Sequence, residues 1–464
     1  MTFDRALLEA VGAAGLIAPG EMAGYSTDWR GLIHGRPLAV VRPACTEQVA
    51  AVIRACVAHQ IAIVPQGGHT SLVAGATPDA SGQQVVLSLS RMTQIRAIDP
   101  QDMTLTVDAG VPWATAQRAA ADAGCLLPLS ISSEGSAQVG GILSANAGGN
   151  TTIRYGSARD LTLGIEAVLP DGQILHGLRA LRKDNTGYNL RSLLVGAEGT
   201  LGVITAAVLR LVPALRQHAT ALCAVPSVDA VAALFRRVRA ADGAALQAFE
   251  YISETGINLV ARHIPGARIP FVARHYALID LGTPSDAPLR PMLEATLAAA
   301  LENGTIDNAV LAETGQQRQA LWHLREEQAE AQKRDGASIK HDVSVAPGRI
   351  PALITGADAA CQALMPGIRT APFGHVGDGN VHYNVLPPPG MDAAAFLAQA
   401  NVIGAAINAV VRDLDGSFSA EHGVGRIKRD LMPTWRGGAE LWAMKQIKAA
   451  LDPANIMNPD VMLP

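Results

Sequence analysis

The chain is expected to fold as an α+β protein of two or three domains. Three observations predict this: a length of 464 residues, glycine clusters set between β-branched runs before Pro213, and a more Ala-rich, helical character after it. One hydrophobic core rarely serves so long a chain. Hydrophobic residues make up 49%, charged residues 17%, and the formal net charge is −4, a globular-enzyme profile. There is no basic excess to bind nucleic acid or an anionic membrane surface. No apolar run reaches the length of about 18 residues that a membrane-spanning helix needs. The opening Met1-Thr2-Phe3-Asp4-Arg5-Ala6-Leu7 mixes charges and shows no secretory signal. The five cysteines, Cys45, Cys56, Cys125, Cys223 and Cys361, are scattered without a C-x-x-C pair. They argue against an iron–sulfur cluster and suit a reducing, cytoplasmic setting.

Each element has its own signal. Thr46-Glu47-Gln48-Val49 opens a capped amphipathic helix over 46–60, followed by a short buried strand, Ile61-Ala62-Ile63-Val64. Strands are predicted at 85–89 and 104–107, a helix at 112–123, and strands at 163–169 and 203–211. The turn Pro170-Asp171-Gly172 ends the first of that last pair. Beyond Pro213 the best-marked helix covers 316–334. Another ends near residues 413–416, and a third covers 437–451, closed by Asp452-Pro453 and Asn458-Pro459.

The run Gly374-His375-Val376-Gly377-Asp378-Gly379-Asn380-Val381-His382 reads as a hairpin centred on Asp378-Gly379, a pair suited to a type I′ turn. That register opposes Gly377 to Asn380, Val376 to Val381, and His375 to His382, with the two histidine Cβ atoms roughly 4.5–5.5 Å apart. Asn384 then shares the face of His382. Such a pair is either packing or two-thirds of a metal site. A third ligand is offered by Ser419-Ala420-Glu421-His422-Gly423. Two histidines and a carboxylate form a ligand set of catalytic zinc. In an extended strand Glu421 and His422 would point to opposite faces, one as ligand and one as base. The bland reading of that pair is a surface salt bridge.

Glycine clusters occur at Gln66-Gly67-Gly68, at Gly140-Gly141 with Gly148-Gly149, and from Gly196 to Gly202. Glycines let backbone amides approach a pyrophosphate closely. The loop Pro65-Gln66-Gly67-Gly68-His69-Thr70-Ser71 is neither a G-x-G-x-x-G nor a P-loop sequence. Alone, it could be a plain tight turn. Arg325 and Lys340 are candidate anion-binding groups, the first suited to bidentate carboxylate recognition and the second a point charge. Singly, each reads as a solvated face.

Taken together these runs resemble the FAD-dependent D-2-hydroxyacid dehydrogenase branch of the vanillyl-alcohol oxidase/p-cresol methylhydroxylase superfamily. The resemblance rests on Pro65-Gln66-Gly67-Gly68, Val139-Gly140-Gly141-Ile142, Asn146-Ala147-Gly148-Gly149 and Arg154-Tyr155-Gly156. It continues through Lys183-Asp184-Asn185-Thr186-Gly187-Tyr188, Gly196-Ala197-Glu198-Gly199-Thr200-Leu201-Gly202-Val203-Ile204-Thr205 and Leu451-Asp452-Pro453. It implies a two-subdomain FAD-binding domain over 1–213, an α/β cap domain with an antiparallel sheet over 214–420, and a segment 421–464 returning near the flavin. FAD contacts are implied for Pro65, Gln66, Gly67, Gly68, His69, Thr70, Ser71, Ser132, Gly135, Gly140 and Gly141. The same role is implied for Asn146, Gly148, Gly149, Glu198, Gly199, Gly202, Ile204 and Asn458. His69 stands where the family usually has asparagine. In distant branches a histidine in such a loop is bonded covalently to the flavin, but ordinary hydrogen bonding is the expectation here.

The resemblance further implies a divalent metal, zinc by preference, on His375, His382 and Glu421, with His422 as the base. Arg325, Lys340 and Asn384 would contact the substrate. A family threonine contact is replaced here by Ala329. The implied reaction is oxidation of a D-2-hydroxyacid to the 2-oxoacid by hydride transfer to flavin, with D-2-hydroxyglutarate preferred. The electron acceptor would be an electron-transfer flavoprotein or a quinone, and the assembly a homodimer. D-lactate or another short D-2-hydroxyacid is the alternative substrate. A zinc hydrolase, with the glycine loops merely structural, is the alternative from a different class.

Overall fold

A computed structural model describes residues 1–464. The chain divides into two units. Met1–Gly149, Tyr155–Ala214 and Glu421–Pro464 form the first; Asn150–Arg154 and Leu215–Ala420 form the second. No helix is long and apolar enough to cross a membrane.

The first unit contains a parallel three-stranded sheet ordered Pro37–Val41, Gln84–Ser88, Ala62–Gln66. All five residues of the middle strand are buried, as a parallel strand covered on both faces requires. The helix Thr46–His59 connects the outer strands and buries Val49, Ile53 and Cys56, one face of a 3.6-residue period. Gln60, in the left-handed region at φ 55°, closes it. A second, antiparallel sheet has the order Ile95–Asp99, Thr104–Asp108, Val203–Arg210, Thr162–Val168, Ile174–Gly177. The helix Trp113–Asp122 belongs to the same core, its Trp113 indole N–H donating to the Leu129 carbonyl at 2.9 Å. The C-terminal tail is tied to the parallel sheet, because Asn458 N–H donates to Ile63 O at 2.8 Å. Asp452 shapes that return: its carboxylate accepts from Lys448 Nζ and from the amides of Ile456 and Met457.

The second unit is built on a seven-stranded antiparallel sheet. Its order is Asn308–Leu311, Gln217–Val225, His275–Thr283, Leu246–Ser253, Phe373–His375, Asn380–His382, Asp342–Ser344. The expected single helix over 316–334 is instead two, Gly315–Glu326 and Gln328–Asp335. Glu327, at φ −81° and ψ 5°, leaves helical geometry between them. The Gln328 side-chain amide donates to the Leu324 carbonyl at 2.8 Å, the acceptor that a continuous helix would give to a backbone amide. The first of the two starts at a capping box, with Thr314 and Gln317 bonded reciprocally to each other's amides.

Ile53→Ala is expected to lower the unfolding free energy by about 2–5 kcal/mol, because the side chain is fully buried in the core of the first unit. Urea denaturation monitored by circular dichroism checks this.

Candidate active site

In the first unit the glycine loops meet backbone to backbone. A Cβ on Gly67 would sit 3.3 Å from Gly141 N, and one on Gly68 would collide with the Ser136 carbonyl. Gly140 would press on Ala109, and Gly149 on the Ser130 carbonyl. Gly199, at φ 73°, lies against the Pro65 ring. Only glycine allows this approach, which is what a pyrophosphate cradle of main-chain amides requires. Two buried acceptors on these segments, Gln138 Oε1 and Asn458 Oδ1, have no protein partner. Close glycine loops and orphaned acceptors in one unit fit a large polar cofactor such as FAD.

The other FAD candidates fall into distinct settings. His69 has φ 55°, with Nδ1 3.3 Å from Gly24 O and Nε2 3.2 Å from Thr77 Oγ1. Burial lowers its pKa, with the Gly24 hydrogen bond opposing, and both ring nitrogens are engaged by protein groups. Gln66 Nε2 donates to Tyr25 O and Ala76 O, and the Ser71 hydroxyl accepts from Val73 and Gly75 amides. Asn146 Oδ1 accepts from Ser157 Oγ and Arg159 N, and Asn458 Nδ2 donates to Gly75 O and Glu198 O. Thr70, Ser132, Gly135 and Gly148 lie in loops, and Ile204 is buried in the strand Val203–Arg210. Gly202 has φ 151°, and a Cβ there would lie 2.8 Å from the Val168 carbonyl oxygen.

Glu198 has a further task. Its buried carboxylate accepts from Val424 N and Gly425 N, both at 2.8 Å. Burial raises its pKa, opposed by those two amides. Gly423 and Gly425 have φ 80° and 56°, so the chain turns around this carboxylate directly after His422. Residues 420–422 are accordingly a bend and not the extended strand expected. The expected separation of Glu421 and His422 on opposite faces therefore fails: Glu421 Oε1 and His422 Nε2 are 3.8 Å apart.

The histidine hairpin also differs from expectation. His375 pairs with Asn380, Gly374 with Val381 and Phe373 with His382, a register two residues away from the one predicted. The neighbouring strand explains it. Phe249 O accepts the Val376 amide at 2.9 Å and Glu250 pairs with His375, so residues 376–379 become a four-residue turn. Of the Asp378-Gly379 pair only Gly379 has positive φ, at 90°, and a Cβ there would collide with the Val345 carbonyl. A shift of two residues preserves the face. His375 and His382 still meet, with ring centroids 5.5 Å apart at 76°.

Their surroundings were not legible from spacing. His375 Nδ1 donates to Glu250 Oε1 at 2.9 Å, and Arg325 Nε donates to Glu250 Oε2 at 2.6 Å. Arg325 Nη2 is 3.5 Å from His375 Nε2, and its guanidinium lies over the Phe373 ring at 4.8 Å. Burial alone would raise the Glu250 pKa, but the charges and hydrogen bonds of His375 and Arg325 bring it down to about 2. His382 Nδ1 is 3.8 Å from Asp342 Oδ1, and Asp342 also accepts from Asn380 Nδ2 and from the Ala420 amide. Glu421 is the next residue along the chain. Asp342 and His382 lie together in the second unit, and Glu421 and His422 lie together in the first. Each pair joins a carboxylate to an imidazole, the ligand chemistry that suits a divalent cation. Asn384 is buried, its amide donating to Gln332 Oε1 while its oxygen accepts from His341 N. Lys340 is half-buried and Ala329 exposed.

Glu250 and Asp342 are the residues that the motifs missed. Glu250 had one signal, being the lone acid in the apolar run Phe249-Glu250-Tyr251-Ile252. Asp342 had another, its place beside Lys340 and His341.

Two family models match nearly end to end. Residues 37–177 match a model described as an FAD binding domain, and residues 215–462 match FAD linked oxidases, C-terminal domain. The chain belongs to the FAD-linked oxidase family. This membership sets aside the hydrolase alternative. Among curated relatives, D-2-hydroxyglutarate dehydrogenase of Xanthomonas citri pv. viticola is 35% identical, with 95% of this chain and 92% of that protein covered. The mitochondrial D-2-hydroxyglutarate dehydrogenase of Bos taurus is 34% identical over 99% of this chain and 83% of its own length. A solved structure of p-cresol methylhydroxylase with substrate bound superposes with a TM-score of 0.74, at 17% identity, covering 99% of this chain and 96% of that one. That likeness establishes the α+β, p-cresol methylhydroxylase-type fold.

Gly68→Ala is expected to give folded protein with reduced FAD content, read as the ratio of visible flavin absorbance to protein absorbance. The Glu250 pKa, lowered in the folded state from 4.5, makes its pairing a source of stability above pH 4.5. That contribution falls away as the pH drops from 4.5 toward 2. The unfolding free-energy difference between wild type and Glu250→Gln should therefore shrink over that window in denaturant titrations.

Proposed function

We propose that this protein oxidises D-2-hydroxyglutarate to 2-oxoglutarate. The observation that carries this reading is the match, over nearly the whole chain, to relatives that bear that activity in their names. Bound FAD supplies a two-electron acceptor for the hydride that leaves the α-carbon. A divalent cation, zinc by preference, on His375, His382 and Glu421 would supply Lewis acidity that lowers the pKa of a substrate hydroxyl.

The remaining work falls to the protein's own side chains. His422 takes the hydroxyl proton, as an imidazole at the end of a fixed bend can. Its backbone position is set by the Glu198 carboxylate, which accepts the amide of Val424 two residues further on. Lys340 contributes a cationic point for a substrate carboxylate. Arg325 contributes directional N–H donors, since a guanidinium has five and Glu250 occupies only its Nε–H. Asn384 is fixed by Gln332 and His341 and so presents no freely turning amide.

A second reading, D-lactate or another short D-2-hydroxyacid, is favoured by two observations. Ala329 brings no hydroxyl for a distal substrate group, and the charge of Arg325 is already paired with Glu250. Steady-state kcat/KM across a panel of D-2-hydroxyacids with a dye acceptor separates the two. The proposal expects the highest value for the five-carbon dicarboxylate; a higher value for D-lactate would replace it with the second reading.

His422→Ala is expected to lose on the order of 10²–10⁴-fold in kcat while keeping its flavin absorbance. Treatment with a chelator should abolish turnover and leave the yellow colour. Full activity in metal-free protein, verified by elemental analysis, would remove the cation from the account.

A further inference from the structure

Two side chains of the glycine loop at 65–71 make the same kind of bridge. Gln66 Nε2 donates to Tyr25 O at 3.1 Å and to Ala76 O at 2.9 Å. His69, further along the loop, sets Nδ1 3.3 Å from Gly24 O and Nε2 3.2 Å from Thr77 Oγ1. Neighbouring residues of the N-terminal segment, Gly24 and Tyr25, are thus tied to neighbouring residues after the loop, Ala76 and Thr77. The segment so held has a modest apolar grip of its own. The 3₁₀ helix Pro19–Tyr25 buries no residue, and its Met22 and Tyr25 pack partly against Ile17, Val40, Val64 and Val86.

The backbone of His69 needs this support as much as the segment does. It sits at φ 55°, a left-handed conformation that a residue with a Cβ keeps only where its surroundings hold it. The preceding Gly67 and Gly68 lie against Gly141 N and the Ser136 carbonyl, so the loop is held between residues 136–141 and the bridged N-terminal segment. A left-handed residue within a run of amides is a feature of anion-binding nests, in which successive N–H groups converge. We infer that His69 is a positioning residue for FAD: by bridging Gly24 to Thr77 it keeps the loop in the turn that aligns its amides for the pyrophosphate, and its imidazole forms no bond to the flavin. The inference rests on FAD occupying the glycine cradle. Its consequence is that Pro19–Tyr25, a segment with no cofactor motif, belongs to the cofactor site and slows the departure of FAD.

A bridge that merely stabilised the fold would shift the unfolding midpoint and leave the FAD release rate alone, so the test reads release. Two variants break the same half of the bridge from opposite ends. Thr77→Val removes the hydroxyl with little change of shape. His69→Asn tolerates the left-handed backbone and keeps a polar atom near the place of Nδ1, but lacks the atom that meets Thr77. Thr77→Ser keeps the hydroxyl and serves as the rescue.

The experiment dilutes the FAD-loaded full chain and follows release by the rise of free-flavin fluorescence. Thr77→Val and His69→Asn should each release FAD about 5–20-fold faster than wild type, the effect of one lost buried hydrogen bond. The double variant should be no faster than the quicker single, because both changes remove one shared interaction. Thr77→Ser should match wild type. Wild-type release rates in both single variants overturn the inference, as do single effects that multiply in the double variant. A second measurement needs no variant: wild-type holoprotein is denatured in acid and digested. All FAD should pass into solution, and a peptide carrying flavin on His69 overturns the inference even if the variants do not fold. The FAD reading itself fails by a different result, purified protein that takes up no FAD at all.

Discussion

The antiparallel pairing of Leu246–Ser253 with Phe373–His375 decides where the candidate side chains of the second unit point. It sets Glu250 opposite His375 and lets the Phe249 carbonyl capture the Val376 amide. Once that amide is taken, the hairpin cannot close symmetrically about Asp378-Gly379. Its turn lengthens to four residues and the return strand slides by two. Because side chains alternate with period two, the slide keeps both histidines on one face. A slide of one residue would have sent them apart. The arrangement of His375, His382 and Asn380 thus follows from a backbone hydrogen bond to a strand more than a hundred residues away in sequence.

What was legible in the sequence was what local chemistry determines. The helix Thr46–His59 announced itself by its period, and the strands Val203–Arg210 and Thr162–Val168 by their β-branched runs. The glycine loops were legible because close backbone approach leaves no alternative residue, as Gly68 against the Ser136 carbonyl shows. What stayed hidden depends on partners distant in sequence. The break at Glu327 follows from a glutamine side chain bonding to a carbonyl one turn back, which no hydrophobic period records. The bend at 420–422 follows from Glu198, more than two hundred residues earlier, drawing in the amides of Val424 and Gly425. The separate roles of Glu250 and Asp342 depend on which strands lie side by side, and spacing along the chain does not encode that.

The two buried carboxylates, Glu198 and Glu250, do similar work in different units. Each is removed from water and each accepts two hydrogen bonds, the condition under which a buried charge is tolerable. Their pKa values move in opposite directions for a clear reason. Glu250 faces a guanidinium and an imidazole, which outweigh burial, whereas Glu198 has backbone amides and only a more distant Lys428, and burial prevails. One therefore anchors side chains and the other anchors a turn of the main chain.

The central claim is that this framework passes a hydride from a D-2-hydroxyacid to FAD. Anaerobic mixing of the purified flavoprotein with D-2-hydroxyglutarate, with the L-enantiomer in a parallel run, tests it most directly. The account requires rapid bleaching of the oxidised flavin bands by the D-enantiomer, formation of one 2-oxoglutarate per FAD reduced, and no comparable bleaching by the L-form. Flavin that stays oxidised with every D-2-hydroxyacid offered, in protein verified to hold both FAD and metal, would contradict it.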